Sequence, residues 1–152
     1  MEVRKAERSD FYNVMKLFKD FANAAPVEYY HNPSYNANHI YKRFDYVRMA
    51  GVMLVAEQDE KIVGFLMASP VDDTWLPDTI TMRELAWWVE PKYRHSTMGY
   101  RLLKKYQDIG KKLQDKNVIN GFTLTNMEIS PDFDLEKRGW CKAETNYVYG
   151  DV

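Results

Sequence analysis

The chain has 152 residues, of which 45% are hydrophobic and 28% charged, with a formal net charge of −1. This is the composition of one ordinary globular domain over residues 1–152, with enough apolar material for a proper core. No run approaches the ~18 apolar residues of a membrane span, the opening MEVRKAERSD is too charged for a signal peptide, and a lone cysteine, Cys141, excludes an internal disulfide or a cysteine-rich zinc site. A cytoplasmic protein is the simplest expectation.

In chain order, VRKA (residues 3–6) reads as a short strand. Ser9 or Asp10 can cap a helix over 11–24, with Phe11, Val14, Met15, Phe18 and Phe21 near one face. PVEYYHNPSYNANH, rich in turn formers, precedes a helix, IYKRFDYVRMA, that stops near Gly51. VMLVAEQDEKIVGFLMA reads as a hairpin turning at 58–60. DDTWLPD is a loop, and TITMRELAWWVE is a longer strand that ends at Pro91. The spacing predicts a helix over 98–115, with Met98, Leu102, Tyr106, Ile109 and Leu113 on one stripe and Arg101, Lys104, Lys105, Asp108, Lys111 and Lys112 outside it. Gly110 inside that helix costs about 1 kcal/mol against alanine, which points to close packing. VINGFTLTNM reads as a strand, PDFDLEKR as a short helix stopped by Gly139, and WCKAETNYVYG as a final strand or tight hairpin in which Cys141 is a small buried residue. The sum is a mixed α/β domain around a central sheet.

The charge is uneven. Between Lys92 and Lys116 stand eight basic residues against Asp108 and Asp115, a local +6 that leaves −7 for the rest of the chain. Such an island suits a compact anionic ligand better than a nucleic acid, which needs a wider footprint, although it can also be the solvated face of one helix. Strand, short turn and helix N-terminus follow one another at residues 87–106. The first amides of a helix lack internal partners and carry partial positive charge, so the amides of 95–99 can hold a phosphate. Gly99 permits close approach, Ser96 and Thr97 offer hydroxyls or Ser96 caps the helix, and Arg94, Arg101, Lys104 and Lys105 can surround a further phosphate. Neither Gly-x-x-x-x-Gly-Lys-Ser/Thr nor Gly-x-Gly-x-x-Gly is present. His31, His39 and His95 lack metal-ligand spacing, so no metal is expected.

LAWWVEPKYRHSTMGYRLL resembles motif A of the GNAT superfamily of coenzyme A-dependent N-acyltransferases, in which a strand ending in Val-x-Pro-x-Tyr-Arg leads through Arg/Gln-x-x-Gly-x-Gly/Ala into a helix. Val89, Pro91, Tyr93, Arg94 and Gly99 match in order and spacing. LEKRGWCKAETNYV resembles the family's closing Tyr-Glu-Lys-x-Gly-Phe segment through Glu136, Lys137, Gly139 and Trp140. Two positions depart: Thr97 replaces the first glycine of the loop, and Leu135 replaces the tyrosine that commonly serves as general acid. The resemblance implies an α/β (α+β) GNAT fold, a central, mixed, mostly antiparallel twisted sheet with two central parallel strands splayed apart, flanked by helices. It also implies acetyl-CoA as acyl donor. The pyrophosphate would rest on His95, Ser96, Thr97, Met98 and Gly99, with Arg94, Arg101 and Lys104 nearby. The pantetheine arm would pair with Trp87, Trp88 and Val89 between strands 83–90 and 118–127, although two adjacent tryptophans can equally be sheet packing.

The activity implied is transfer of an acetyl group to a primary amine by direct attack. An amine with the reference pKa of ~10.4 is about 0.04% neutral at pH 7, a handicap of roughly 4–5 kcal/mol, so a positioned carboxylate is needed. Glu84, on the strand before the loop, is the first candidate, with a surface carboxylate or ion-pair partner as the alternative; Glu128, at the exit of the next strand, is the second. The family places its acceptor near the region between the first two helices, where the faces of Tyr29, Tyr30 and Tyr35 can hold a cationic amine or fill a small core. The acceptor is then a small molecule or a protein, a homodimer is compatible, and neither nucleic acid nor membrane is expected as partner. The rival readings are a coenzyme A-binding or interaction protein without turnover, and an acyltransferase for a protein or modified nucleic-acid amine.

Overall fold

A computed structural model describes residues 2–25 and 36–147. Tyr29, Tyr30, Tyr35 and His31 lie outside the described residues. The elements are β1 (Glu2–Lys5), α1 (Phe11–Ala24), α2 (Ala37–Ala50), β2 (Val52–Gln58), β3 (Lys61–Asp72), β4 (Ile80–Val89), α3 (Met98–Asp115) and β5 (Gly121–Thr123), with single 3-10 turns at Arg8–Asp10, Pro91–Tyr93 and Glu136–Arg138. The five strands stand in the order β1-β2-β3-β4-β5. The first three pairings are antiparallel and β4–β5 is parallel. Helices cover both faces, which is the architecture the resemblance implies.

Because both faces are covered, β2 and β3 are continuous apolar runs rather than alternating ones. Leu54, Leu66, Met82, Trp87 and Val89 meet Met98, Leu102, Leu103 and Tyr106 of α3 on one face. On the other face Val55, Phe65 and Trp88 meet Phe11, Val14 and Leu17 of α1 and Phe44 and Val47 of α2. The β2–β3 hairpin closes at Gln58↔Lys61 through Asp59 and Glu60. Both turn residues have positive φ, 51° and 60°, as a two-residue turn matched to strand twist requires.

Three local expectations are corrected. Asp10 does not cap α1; its carboxylate accepts the Glu7 amide at 2.7 Å and pairs with Arg4, because a buried charge is better served by a guanidinium than by a helix end. The fifth strand is three residues long instead of spanning VINGFTLTNM. Residues 141–147 form no strand, so Cys141 is exposed rather than buried.

Candidate active site

Parallel strands β4 and β5 pair only at Thr81↔Gly121, Met82↔Phe122 and Arg83↔Thr123. Past that point side chains take over from the ladder. The single hydroxyl proton of Tyr106 on α3 is shared between the carbonyls of Thr123, at 2.9 Å, and Met82, at 3.2 Å. One step further, the Thr125 amide donates to Glu84 Oε2 at 2.9 Å. Along residues 84–89 the β5 side of β4 has no strand partner among the described residues. The two strands therefore open as a fork, and Glu84 sits at its base.

Strand β4 reaches this arrangement through a bulge. Met67 faces Ala86 and Ala68 faces Glu84, so Leu85 is an extra residue. The bulge inverts the alternation: Met82 and Glu84 precede it on the α3 face, and Trp87 and Val89 follow it on that same face. Only 4% of Glu84 is exposed. Burial pushes its carboxyl up to about 7, against the lowering effect of the Thr125 bonds. A carboxyl with that value is half ionised near neutral pH and suits a general base.

The turn into α3 is partly used by the protein itself. Ser96 Oγ donates to the Tyr93 carbonyl at 2.6 Å and accepts the Met98 amide at 3.2 Å, so the serine caps the helix. The Gly99 and Tyr100 amides, next in the helix, meet no backbone acceptor among the described residues. The side of Gly99 where a Cβ would stand faces Pro131 at 2.9 Å and Phe133 at 3.2 Å, so the glycine serves close packing of the segment after β5. Phe133 stacks on Trp87 with ring centroids 5.9 Å apart, and the Arg138 guanidinium lies over Tyr100 at 4.5 Å.

Arg94 turns back to the strand it follows. Its Nε donates to the Val89 carbonyl at 2.9 Å, and its guanidinium lies 4.4 Å from the centroid of the Trp88 ring. Burial lowers its pKa. Both tryptophan side chains are buried, Trp87 on the α3 face and Trp88 against Phe21. They are sheet packing; the Trp88 backbone pairs with Phe65 of β3, and of the two only the Trp87 backbone faces the β5 side. His95 and Thr97 are exposed in the turn, and Met98 is a core residue. Lys104 pairs with Asp108 and, with Arg101, Lys105, Tyr100 and Val3, lines a basic cleft of about 310 Å³ between α3 and β1.

Glu128 makes no described contact with Glu84. It is exposed in a turn closed by the Ser130 amide on the Met127 carbonyl at 2.9 Å, because β5 stops at Thr123 and leaves no strand exit there. A second cleft, of about 430 Å³, lies between α1 (Lys16, Asp20, Asn23 and Ala24) and Trp88 of β4 with Glu90 and Pro91 just after it. Thr125 and the hydroxyl role of Tyr106 are absent from the sequence reading. Tyr106 reads there as an ordinary stripe residue, and its one signal is a phenol among aliphatic positions.

The β4 edge beyond Arg83 has no strand partner among the described residues but is largely buried, and neither cleft is lined by Glu84. The sequence profile of the acetyltransferase (GNAT) family matches residues 11–128. No curated protein sequence matches the chain. Solved structures with the same fold include an acetyltransferase of Trypanosoma brucei, at 19% identity and TM-score 0.67, covering 99% of both chains. A predicted acetyltransferase of Clostridium acetobutylicum with acetyl-CoA is 13% identical at TM-score 0.72, over 99% of this chain and 95% of that one. Glucosamine-6-phosphate N-acetyltransferase of Arabidopsis thaliana is 18% identical at TM-score 0.66, over 99% and 98%. With a family match that spans most of its length, the chain belongs to the GNAT acetyltransferase family.

Proposed function

We propose that the protein is an N-acetyltransferase that moves the acetyl group of acetyl-CoA to a primary amine by direct attack, with Glu84 taking the amine's proton directly or through one water. The carrying observation is the Glu84 carboxyl at the base of the fork, buried, held by the Thr125 amide and pushed up to about 7. When bound, acetyl-CoA supplies an activated acyl group on a thiol leaving group. The edge of β4 beyond Arg83, without a strand partner among the described residues, is where its pantetheine arm would pair once the buried Trp87 backbone is uncovered, and the Gly99 and Tyr100 amides offer donors for its pyrophosphate. Arg101 and Lys104 are the cations for a further phosphate.

Chemically, the amine nitrogen bonds to the acyl carbon, the carbon–sulfur bond breaks, and the amine proton passes to Glu84. Leaving as thiolate at pH 7 costs only about 2 kcal/mol on the cysteine reference of ~8.5, so Leu135 in place of an acid is tolerable. The acceptor reading rests on chemistry: a cytoplasmic amine, small-molecule or protein, near the α1–α2 side, with Tyr29, Tyr30 and Tyr35 as contacts. The amino-sugar activity in the name of the Arabidopsis structure makes amino sugars the first acceptors to try. Leu135 also supports a second reading, coenzyme A binding without turnover.

The test is thiol release from acetyl-CoA across amino sugars, polyamines and peptide N-termini between pH 5.5 and 9. A rate that rises through a midpoint near 7 and loses that limb in Glu84→Gln supports the proposal. An unchanged profile in the variant rejects Glu84 as base.

A further inference from the structure

Helix α3 sends one hydroxyl into the seam between the parallel strands. The phenol of Tyr106 is fully buried, and its single proton faces two carbonyls, Met82 on β4 at 3.2 Å and Thr123 on β5 at 2.9 Å. Those residues belong to the last two pairs of the β4–β5 register. Where the next rung of the ladder would form, the strands instead share a side-chain donor. Immediately beyond, Glu84 Oε2 accepts the Thr125 amide at 2.9 Å. The ring is held edge-on by Phe122 at 5.7 Å and stacked under Trp140 at 6.4 Å. A phenylalanine would fill nearly the same volume but leave both carbonyls without this donor, and buried carbonyls are nearly always satisfied.

We propose that Tyr106 is a positioning residue: its hydroxyl, seated between β4 and β5 where their ladder ends, fixes where the fork opens and so holds Glu84 against the Thr125 amide in a dry site. The inference rests on the reading of Glu84 as the base. Burial raises the Glu84 carboxyl and the Thr125 bonds lower it; burial also raises the Tyr106 phenol, helped by the Glu84 charge. The phenol thus lies within the field of the Glu84 charge.

Tyr106→Phe removes the hydroxyl and keeps the ring. Hydrogen exchange of the Thr125 amide should accelerate at least about tenfold as its bond to Glu84 loosens. The Glu84 carboxyl, followed by carbon NMR in the ligand-free protein, should titrate about one pH unit lower as water enters the seam. The kcat for acyl transfer should fall about tenfold, part of what a general base supplies, with KM for acetyl-CoA within about twofold. Unchanged exchange and titration overturn the proposal. Phe122→Leu loosens the ring's packing but keeps the hydroxyl; if it moves the titration as far as Tyr106→Phe does, the effect is packing and the proposal is wrong. Should Tyr106→Phe fail to fold, the wild type decides: the Tyr106 Cζ resonance must follow the Glu84 midpoint, and a resonance flat with pH overturns the inference. If no amine yields thiol with the wild type, the transferase reading fails, while exchange and titration still decide the role of Tyr106.

Discussion

Replacing Glu84 by glutamine should remove a large part of the pH dependence of folding. The carboxyl moves from an ordinary 4.5 to about 7 in the folded protein. A raised folded value means that the folded state keeps its proton to higher pH than the unfolded chain does. This group's contribution is therefore fully present below pH 4.5 and is lost as pH rises to 7. At about 1.4 kcal/mol per pH unit, the loss across that window is about 3 kcal/mol. Glutamine can still accept the Thr125 amide, but its NH2 brings a buried donor into the site, a pH-independent cost of about 1–3 kcal/mol. The variant should thus be less stable than the wild type near pH 4.5 and equal or more stable at pH 8. Urea unfolding at pH 4.5, 6, 7 and 8 reads the difference directly. Parallel stability curves for the two proteins would refute the burial argument for Glu84.

Gly110→Ala should destabilise by about 1–3 kcal/mol although alanine is the better helix former by about 1 kcal/mol, because a Cβ at Gly110 would stand 2.6 Å from the Phe122 ring; thermal melts check this, and a higher Tm would show that the ring yields freely. Arg94→Lys should cost about 1–2 kcal/mol of stability, since a lysine cannot bond the Val89 carbonyl and lie flat on Trp88 at once; urea unfolding of both proteins tests it. Asp10→Asn should cost about 1.5–3 kcal/mol at pH 7. Burial raises the Asp10 carboxyl, but Arg4 and the Glu7 amide hold it below the usual carboxylate range. That contribution is present above the unfolded value and lost as pH falls through the folded one, so the two proteins should converge in strong acid.

Much of this was legible in the sequence because the signals were local. The apolar stripe from Met98 to Leu113 predicts α3 with its observed bounds, and the polar Gln58–Glu60 predicts the hairpin turn, which closes at Gln58↔Lys61. The strand carrying Glu84 and the turn before α3 are where the spacing puts them. What was not legible depends on partners far along the chain. The bulge at Leu85 is a property of pairing with β3, so alternation alone cannot tell which face Glu84 takes. The Ser96 cap on the Met98 amide is one of the two readings the sequence offers, but its bond to the Tyr93 carbonyl and the folding of Arg94 back on Trp88 are choices set by burial rather than residue type. The short β5 escapes the apolar run because Tyr106 and Glu84 intercept the backbone groups that would extend it.

The most direct test of the account is calorimetric titration with acetyl-CoA followed by thiol release in the presence of a primary amine. The account predicts saturable binding of one donor per chain and thiol release that depends on the amine. Absence of binding, or release at the same slow rate with and without every amine, would contradict it.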